Sequence, residues 1–187
     1  IPSMSILQME PKDDMREPHH VPAGTLVDSE PVEGERCRFR TAYDVMMYPL
    51  TLQAAGLSGR PIIAPESRRA QNAAGCLRLT LTMTTPDDTF AKSAPKRLRF
   101  FLRGQPQLVY PLYELLLNDA IAVAFAEGIN DPHPVVLDAS ALSPGGFAED
   151  EGLLPYEERS HLGFRILSEY FAFPEKFLFV DLTFPER

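Results

Sequence analysis

Proline and glycine are spread along this chain so densely that long regular elements have little room. The 187 residues contain 18 Pro and 11 Gly, roughly one helix or strand breaker in every six residues. Proline cannot donate a backbone hydrogen bond, and glycine weakens helices and strands, so both favour short elements joined by turns. The chain is therefore expected to fold mainly from short strands, with few helices.

Alternating apolar and polar residues predict where these strands lie. The clearest pattern is CLRLTLTMT at 76–84, in which Leu79 and Leu81 share one face and are candidate core residues. A second strand at 96–104 is expected to pair with it in a hairpin-like arrangement. Further strands are expected at 3–11, within 21–57, and at 121–128, 134–147 and 176–184.

Two segments change to the three-to-four spacing of amphipathic helices. One lies near 109–119 and the other at 160–173, where Ser160 is the expected N-cap. Because the strands are mostly contiguous and the helices come late, the predicted fold is α+β, mainly antiparallel β with sandwich-like sheets. The chain is expected to form one domain, or two closely packed β-rich subdomains at about 1–104 and 105–187.

Charge and cysteine content narrow the class of protein. The net charge is −8, and an acidic chain repels phosphate backbones, so general nucleic-acid binding is not expected. No apolar run approaches the roughly 20 residues that span a bilayer, so no direct membrane insertion is expected. Cys37 and Cys76 lie far apart, and buried free thiols are expected, with one disulfide as the alternative.

None of the polar clusters has the spacing of a catalytic or metal site. His19-His20 lies in an acidic loop, but no third ligand follows at a recognised spacing. The carboxylates at 87–88 and 149–151 stand beside Pro and Gly, which is typical of solvated turns. We therefore predict no catalytic, cofactor-binding or metal residue, and no enzyme activity.

The segment GFRILSEYFAFPEKFLFVDL, at 163–182, concentrates aromatic residues near the end of the chain. Each aromatic side chain can bury about 150–250 Å², so this segment either closes a core or forms a partner-binding face. The candidate core residues are Phe164, Tyr170, Phe177 and Phe179. The candidate partner-interface residues are Phe171, Phe173 and Tyr156.

The same end of the chain carries a family resemblance. LPYEERSHLGFRILSEYFAFPEKFLFVDL, at 154–182, resembles the type VI secretion baseplate subunit family TssF, also called VasA or ImpG. CRFRTAYDVMMYPL, at 37–50, resembles a second segment of that family. Weaker likenesses are seen in PSMSILQMEP, VPAGTLV, KRLRFFLRG and LYELLLND. The chain thus resembles an internal fragment of a longer TssF-like polypeptide, and its loop at 58–75 has few features in common with the family.

The resemblance implies a structural role without catalysis or cofactors. Family members assemble with TssG into a wedge that engages TssK, TssE and the VgrG hub. The resulting cytoplasmic baseplate docks on an inner-membrane complex and templates the Hcp tube and contractile sheath. Contacts between copies of the subunit within the wedge are a further expectation.

Two other function classes remain open from the residues alone. A ligand-binding β-sandwich module for a peptide or carbohydrate needs exposed aromatics on a sheet face or loop, and the absence of Trp weighs against sugar stacking. An acid–base hydrolase needs two carboxyls that converge in a cleft with at least one shifted pKa.

Overall fold

The computed structural model describes residues 2–65, 67–85, 89–90, 95–157 and 159–185. The fold is α+β and mainly antiparallel β, with two principal helices. The strands are β1 (His19–Val21), β2 (Leu26–Asp28), β3 (Arg38–Arg40), β4 (Val45–Met47), β5 (Leu50–Ser58), β6 (Cys76–Met83), β7 (Arg97–Phe101), β8 (Ala122–Phe125), β9 (Val135–Asp138), β10 (Leu142–Pro144) and β11 (Phe179–Thr183). The helices are α1 (Pro106–Glu114), continued by a π-helical turn (Leu115–Asp119), and α2 (Leu162–Ala172).

The chain forms two compact units that are interleaved along the sequence. Unit 1 consists of Ile1–Pro49, Thr84–Ser93 and Gly146–Phe177. Unit 2 consists of Leu50–Met83, Ala94–Gly145 and Leu178–Arg187. Each unit takes segments from both sides of residue 104, which differs from the simple division at 104 that the sequence suggests.

Unit 1 contains two small ribbons and helix α2. Strand β1 pairs antiparallel with β4, and β2 pairs antiparallel with β3. The turn before β2 is fixed by Thr41, whose hydroxyl accepts a hydrogen bond from the Thr25 N–H and donates one to the Pro22 carbonyl. After α2, a 3-10 turn (Pro174–Phe177) buries the Phe177 ring against Phe147, with a centroid separation of 4.8 Å.

Unit 2 contains a three-stranded sheet in the order β10-β11-β7 and two antiparallel ribbons, β5-β6 and β8-β9. The central strand β11 buries Val180 and Leu182 on one face. Its Asp181 is also buried and accepts two hydrogen bonds of 2.6 Å from the Arg99 guanidinium. This bidentate pairing allows a charged side chain to lie inside the sheet, because both carboxylate oxygens keep a partner.

Several expectations from the sequence are wrong in detail. Strands 76–84 and 96–104 form as β6 and β7, but β6 pairs with β5, and β7 pairs with β11. Alternation predicts a strand and its faces, but it does not specify the neighbouring strand. The segment 3–11 forms no strand, and Leu79 and Leu81 are only partly buried in the β5-β6 ribbon.

The two cysteines are free, as the first alternative predicted, but Cys37 is exposed rather than buried. Cys76 is partly buried at the start of β6. The predicted N-cap of the second helix also moves by one residue, from Ser160 to His161.

Candidate functional site

Helix α2 begins and ends through identifiable hydrogen bonds. The His161 Nδ1 accepts a hydrogen bond of 3.1 Å from the Gly163 N–H, so this imidazole serves as the N-cap. Ser160 instead contributes its carbonyl, which accepts a hydrogen bond from the Tyr156 hydroxyl. At the other end, the Phe173 N–H donates to the Glu169 carbonyl, and Pro174 cannot continue the helix.

One side of α2 presents large apolar side chains to solvent. Phe164, Leu167 and Phe171 are 68%, 58% and 80% exposed. Their spacing places them on one helical face, so they form a continuous apolar stripe about two turns long. Ser168 lies within this face, and its hydroxyl donates to the Phe164 carbonyl.

The prediction that Phe164 and Tyr170 belong to the core is wrong. Tyr170 is 52% exposed and lies beside the stripe, with its ring edge against Phe171 at a centroid distance of 5.8 Å. The Tyr170 ring also contacts the buried Phe177 ring, with 5.9 Å between the two ring centroids. The inward-facing side of the helix is occupied by charged residues instead, so these aromatics are left outside.

Glu169 is the most buried side chain on the inward face, with no exposed surface. Its Oε1 accepts hydrogen bonds from the backbone N–H groups of Leu153 (2.7 Å) and Leu154 (2.9 Å). Its Oε2 accepts a hydrogen bond from the Lys176 Nζ, which is 1% exposed. The carboxylate therefore joins the helix, the preceding loop and the following 3-10 turn.

Arg165 lies one turn before Glu169 and is also buried. Its guanidinium donates to the carbonyls of Glu149 (2.7 Å) and Ala148 (2.8 Å) and lies over the Tyr156 ring. Its Nε is 3.9 Å from the nearer Glu169 oxygen and makes no hydrogen bond. Arg165 thus fastens the loop at 148–149 to the helix, mainly through backbone carbonyls.

Glu151 completes what we call the buried charge cluster, which consists of Glu151, Arg165, Glu169 and Lys176. The Glu151 carboxylate accepts hydrogen bonds from the backbone N–H groups of Gly146 (2.8 Å) and Ala148 (3.1 Å). Gly146 has φ of +94°, and a Cβ there would lie 2.7 Å from the Lys176 carbonyl oxygen. This turn therefore requires glycine for both its conformation and its close approach to the cluster.

Burial and pairing have opposite effects on the pKa values of Glu169 and Lys176, the central ion pair of the cluster. Burial raises the pKa of Glu169, but hydrogen bonds from Lys176, Leu154 and Leu153 outweigh it and hold that pKa below its usual value. Burial lowers the pKa of Lys176, and Glu169 opposes this effect. Because Glu169 accepts three hydrogen bonds, its charged form is the favoured one in the folded chain.

A groove of about 350 Å³ runs along the loop side of the stripe. Its walls include Tyr156 and Phe164, and Arg165 also contributes to the lining. The remaining lining residues are Leu154, Pro155, Glu157, Ser160 and Ser168. Of the candidate interface residues, Phe171 is exposed in the stripe, Tyr156 is partly buried in this groove, and Phe173 is partly buried after α2.

The charged groups of this region are arranged for structure rather than proton transfer. Both oxygens of Glu169 accept hydrogen bonds, from Lys176 and from two backbone amides, and the side chain has no exposed surface. Glu149 and Asp150 are exposed, and the pair at 87–88 lies outside the described residues. Within the described ranges, no three His, Cys, Asp or Glu side chains are grouped so that they could hold a metal ion.

The sequence reasoning missed Arg165, Glu169 and Lys176. Arg165 and Glu169 are four residues apart, which places both on one helical face, opposite Phe164 and Phe171. This spacing shows that α2 has a charged side and an apolar side. It does not show which of the two sides faces the protein interior.

In the part of the chain that the structure describes, no helix is long and apolar enough to cross a membrane.

Comparisons with known proteins agree with one another. A family model described as "Type VI secretion system, TssF" matches residues 1–187. The type VI secretion system component TssF1 of Pseudomonas aeruginosa is 32% identical over 193 residues, covering 97% of this chain and 30% of that protein.

A solved structure is also similar to this chain. It is a chain of a type VI secretion TssK-TssF-TssG baseplate subcomplex, determined by cryo-electron microscopy, and it matches with a TM-score of 0.72 and 24% identity. The match covers 94% of this chain and 32% of that chain. This chain therefore spans about a third of the length of the relatives that it matches.

Proposed function

The chain belongs to the TssF family of the type VI secretion system, and from this premise we propose that it forms part of a structural baseplate subunit that assembles with TssG and TssK. The observation that carries the proposal is the family match over the whole chain. The solved structure with the same fold is a complex of proteins with these three names, which supports the choice of partners.

The finer part of the proposal concerns the assembled machine. We propose that the baseplate containing this subunit also engages TssE and the VgrG hub, and that it templates the Hcp tube and sheath. We further propose that this baseplate is cytoplasmic and docks on the inner-membrane complex. Catalysis has no part in the proposed role.

The apolar stripe supports an assembly role on physical grounds. An exposed and continuous apolar face is costly in water, and such faces mark protein–protein contacts more often than single exposed apolar residues do. The stripe lies on a helix rather than on a sheet face, and this geometry suits a protein partner better than carbohydrate stacking.

Co-expression of the native-length polypeptide with its cognate TssG and TssK tests the proposal. We expect the three proteins to co-purify on an affinity tag placed on any one of them, and light scattering to give a defined mass. A strain that lacks this polypeptide should release no Hcp into the medium, and the wild-type gene should restore release. If no complex forms and Hcp is released normally without this polypeptide, the baseplate role is refuted.

A further inference from the structure

Strand β5 has a neighbouring strand on one side only. It is the longest strand of the described residues, and it pairs with β6 along its length in a two-stranded ribbon. Among the described residues, no other segment forms a backbone hydrogen bond with β5. Its outer edge therefore presents a row of backbone N–H and C=O groups that can pair with a further strand.

A β-bulge determines which side chains of this ribbon share a face. On β5, Leu52 and Ala54 lie opposite adjacent residues of β6, so Gln53 is the extra residue of the bulge. Because of this extra residue, one face of the ribbon carries apolar side chains alone. That face consists of Leu50, Leu52, Ala55 and Leu57 from β5 and of Leu77, Leu79, Leu81 and Met83 from β6.

The apolar face of the ribbon is covered less along β5 than along β6. The four members on β6 are all partly buried. On β5, Leu52 and Leu57 are 50% and 66% exposed, and every residue from 51 to 58 is exposed. The uncovered part of the ribbon is therefore its β5 side, where an open backbone edge and apolar side chains lie together.

Strand β5 also lacks most of the features that keep edge strands from pairing with other chains. Edge strands of soluble proteins are commonly short or carry charged residues or proline, whereas residues 50–58 include no charged residue and no proline. The bulge at Gln53 interrupts the edge near its start and leaves the regular stretch 54–58 open. A two-stranded ribbon is also marginally stable by itself, and a third strand is a common means of stabilising it.

The size of the uncovered strip favours a strand of the same polypeptide as its cover. Strand β5 is about 30 Å long and neighbouring strands are about 5 Å apart, so one added strand occupies a small area. A stable interface between separate chains buries about 800 Å² on each partner. A tethered strand needs a smaller contact, because its effective concentration reaches the millimolar range. This chain covers 30% of TssF1 and 32% of the solved chain, so polypeptides of this family have ample further sequence for such a strand.

We propose that β5 is an inner strand in the native-length polypeptide, where a strand from outside these 187 residues pairs with its open edge. The added strand alternates apolar and polar residues, so that its apolar side chains lie beside Leu52 and Leu57 on the apolar face. A cover within the same polypeptide is in place before any partner binds, which protects the edge from aggregation in the free subunit. The inference depends on the family membership and not on the proposed baseplate role.

Hydrogen–deuterium exchange of the purified native-length polypeptide, without TssG or TssK, tests for the added strand. In a two-stranded ribbon about half of the β5 amides donate to β6, whereas in an inner strand nearly all donate to one neighbour or the other. We expect a peptide spanning 51–58 to contain about twice as many slowly exchanging amides as the ribbon alone allows. Slow exchange of half of these amides or fewer overturns the inference, and so does full protection that appears only after TssG and TssK are added.

Photo-cross-linking identifies the source of the added strand. The native-length polypeptide carries the Leu57→p-benzoylphenylalanine change and is irradiated alone. We expect a product with the mass of one chain, in which mass spectrometry places the cross-link outside residues 1–187. A cross-link to a second copy, a cross-link found only within 1–187, or no cross-link overturns the inference. A matched control carries the same amino acid at Leu108, which is 69% exposed in α1, and it should not give this product.

Two lysine variants separate the apolar face from the opposite face of the ribbon. Leu57 lies on the apolar face, and the adjacent Ser58 lies on the opposite face. Leu57→Lys should increase the exchange rates of the β5 amides about tenfold or more in the native-length polypeptide, because the charge lies where the added strand packs. Ser58→Lys should leave these rates near the wild-type values. Equal effects of the two variants, or no effect of Leu57→Lys, overturn the inference.

Discussion

Replacing Glu169 with glutamine tests whether α2 is held in place by charges on its buried side. Glutamine keeps the shape of the side chain and one carbonyl oxygen, which can still accept hydrogen bonds from the Leu153 and Leu154 N–H groups. It removes the negative charge beside Lys176, which is 1% exposed. An unpaired ammonium is then left inside the protein.

The expected loss of stability follows from that unpaired charge. Removing one partner of a buried ion pair typically costs about 3–5 kcal/mol, far more than the loss of an exposed pair. We therefore expect Glu169→Gln to lower the free energy of unfolding by about 3–4 kcal/mol, at the lower end because the glutamine oxygen still accepts hydrogen bonds. Lys176→Met leaves the carboxylate with its two backbone donors and should cost about 2–3 kcal/mol.

The double variant is the control that isolates the pair. With both Glu169→Gln and Lys176→Met, no uncompensated charge remains between the two positions, and methionine fills much of the lysine volume. We expect the free energy of unfolding of the double variant to lie within about 2 kcal/mol of the wild-type value. Its loss of stability should therefore be clearly smaller than the sum of the losses in the two single variants.

Urea denaturation followed by far-ultraviolet circular dichroism measures all four proteins at pH 7. The slopes of the unfolding free energy against urea concentration should agree among the variants, so that midpoint shifts report stability. A loss below about 1 kcal/mol for Glu169→Gln, or additive losses in the double variant, would refute the idea that this pair fixes the helix.

Three further predictions follow from individual contacts. Phe177→Ala should lower the free energy of unfolding in urea by about 3–5 kcal/mol, because the ring is buried. Phe164→Ala, at an exposed position, should lower it by less than about 1 kcal/mol, and equal losses in the two variants would contradict the burial pattern. Asp181→Asn should destabilise the chain by about 3 kcal/mol because it removes the carboxylate that pairs with Arg99. The losses of Asp181→Asn and Arg99→Ala should be less than additive in the double variant, and additive losses would contradict this pairing. The pKa of Glu169 is lowered on folding, so its contribution to stability is full above about pH 4.3 and is lost as the pH falls through its pKa in the folded chain. The difference in unfolding free energy between wild type and Glu169→Gln should therefore shrink in acid. A difference that stays constant with pH would contradict the lowered pKa of Glu169.

Local patterns in the sequence predicted element types more reliably than element partners. Helix α1 and strand β6 lie within a few residues of their expected positions, because side-chain periodicity follows directly from backbone geometry. The partner of β6 is β5 rather than β7, and alternation on one strand carries no information about its neighbour. The interleaving of the two units had no local signal either, since it depends on contacts between distant segments.

The candidate site shows a different limit of sequence reasoning. The aromatic content of 163–182 draws attention to helix α2 and the turn after it, but it does not decide between core and interface. Assigning Phe164 and Tyr170 to the core assumed that the apolar side of an amphipathic helix faces inward. That assumption holds for a helix whose charged side has partners only in the solvent. It fails where the charged side has backbone amides, backbone carbonyls and an opposite charge as partners inside the fold.

A buried charge cluster and an exposed apolar stripe on the same helix have complementary physical roles. Apolar side chains pack without strong directional preference, so an apolar core alone would allow α2 to settle in several rotations. Glu169 and Arg165 are directional, because each is satisfied only when specific backbone groups of 148–154 stand opposite. Such a cluster contributes little net stability compared with apolar packing of the same volume, but it fixes which way the helix faces. The rotation that satisfies these backbone groups is the rotation that leaves Phe164 and Phe171 on the outside of unit 1.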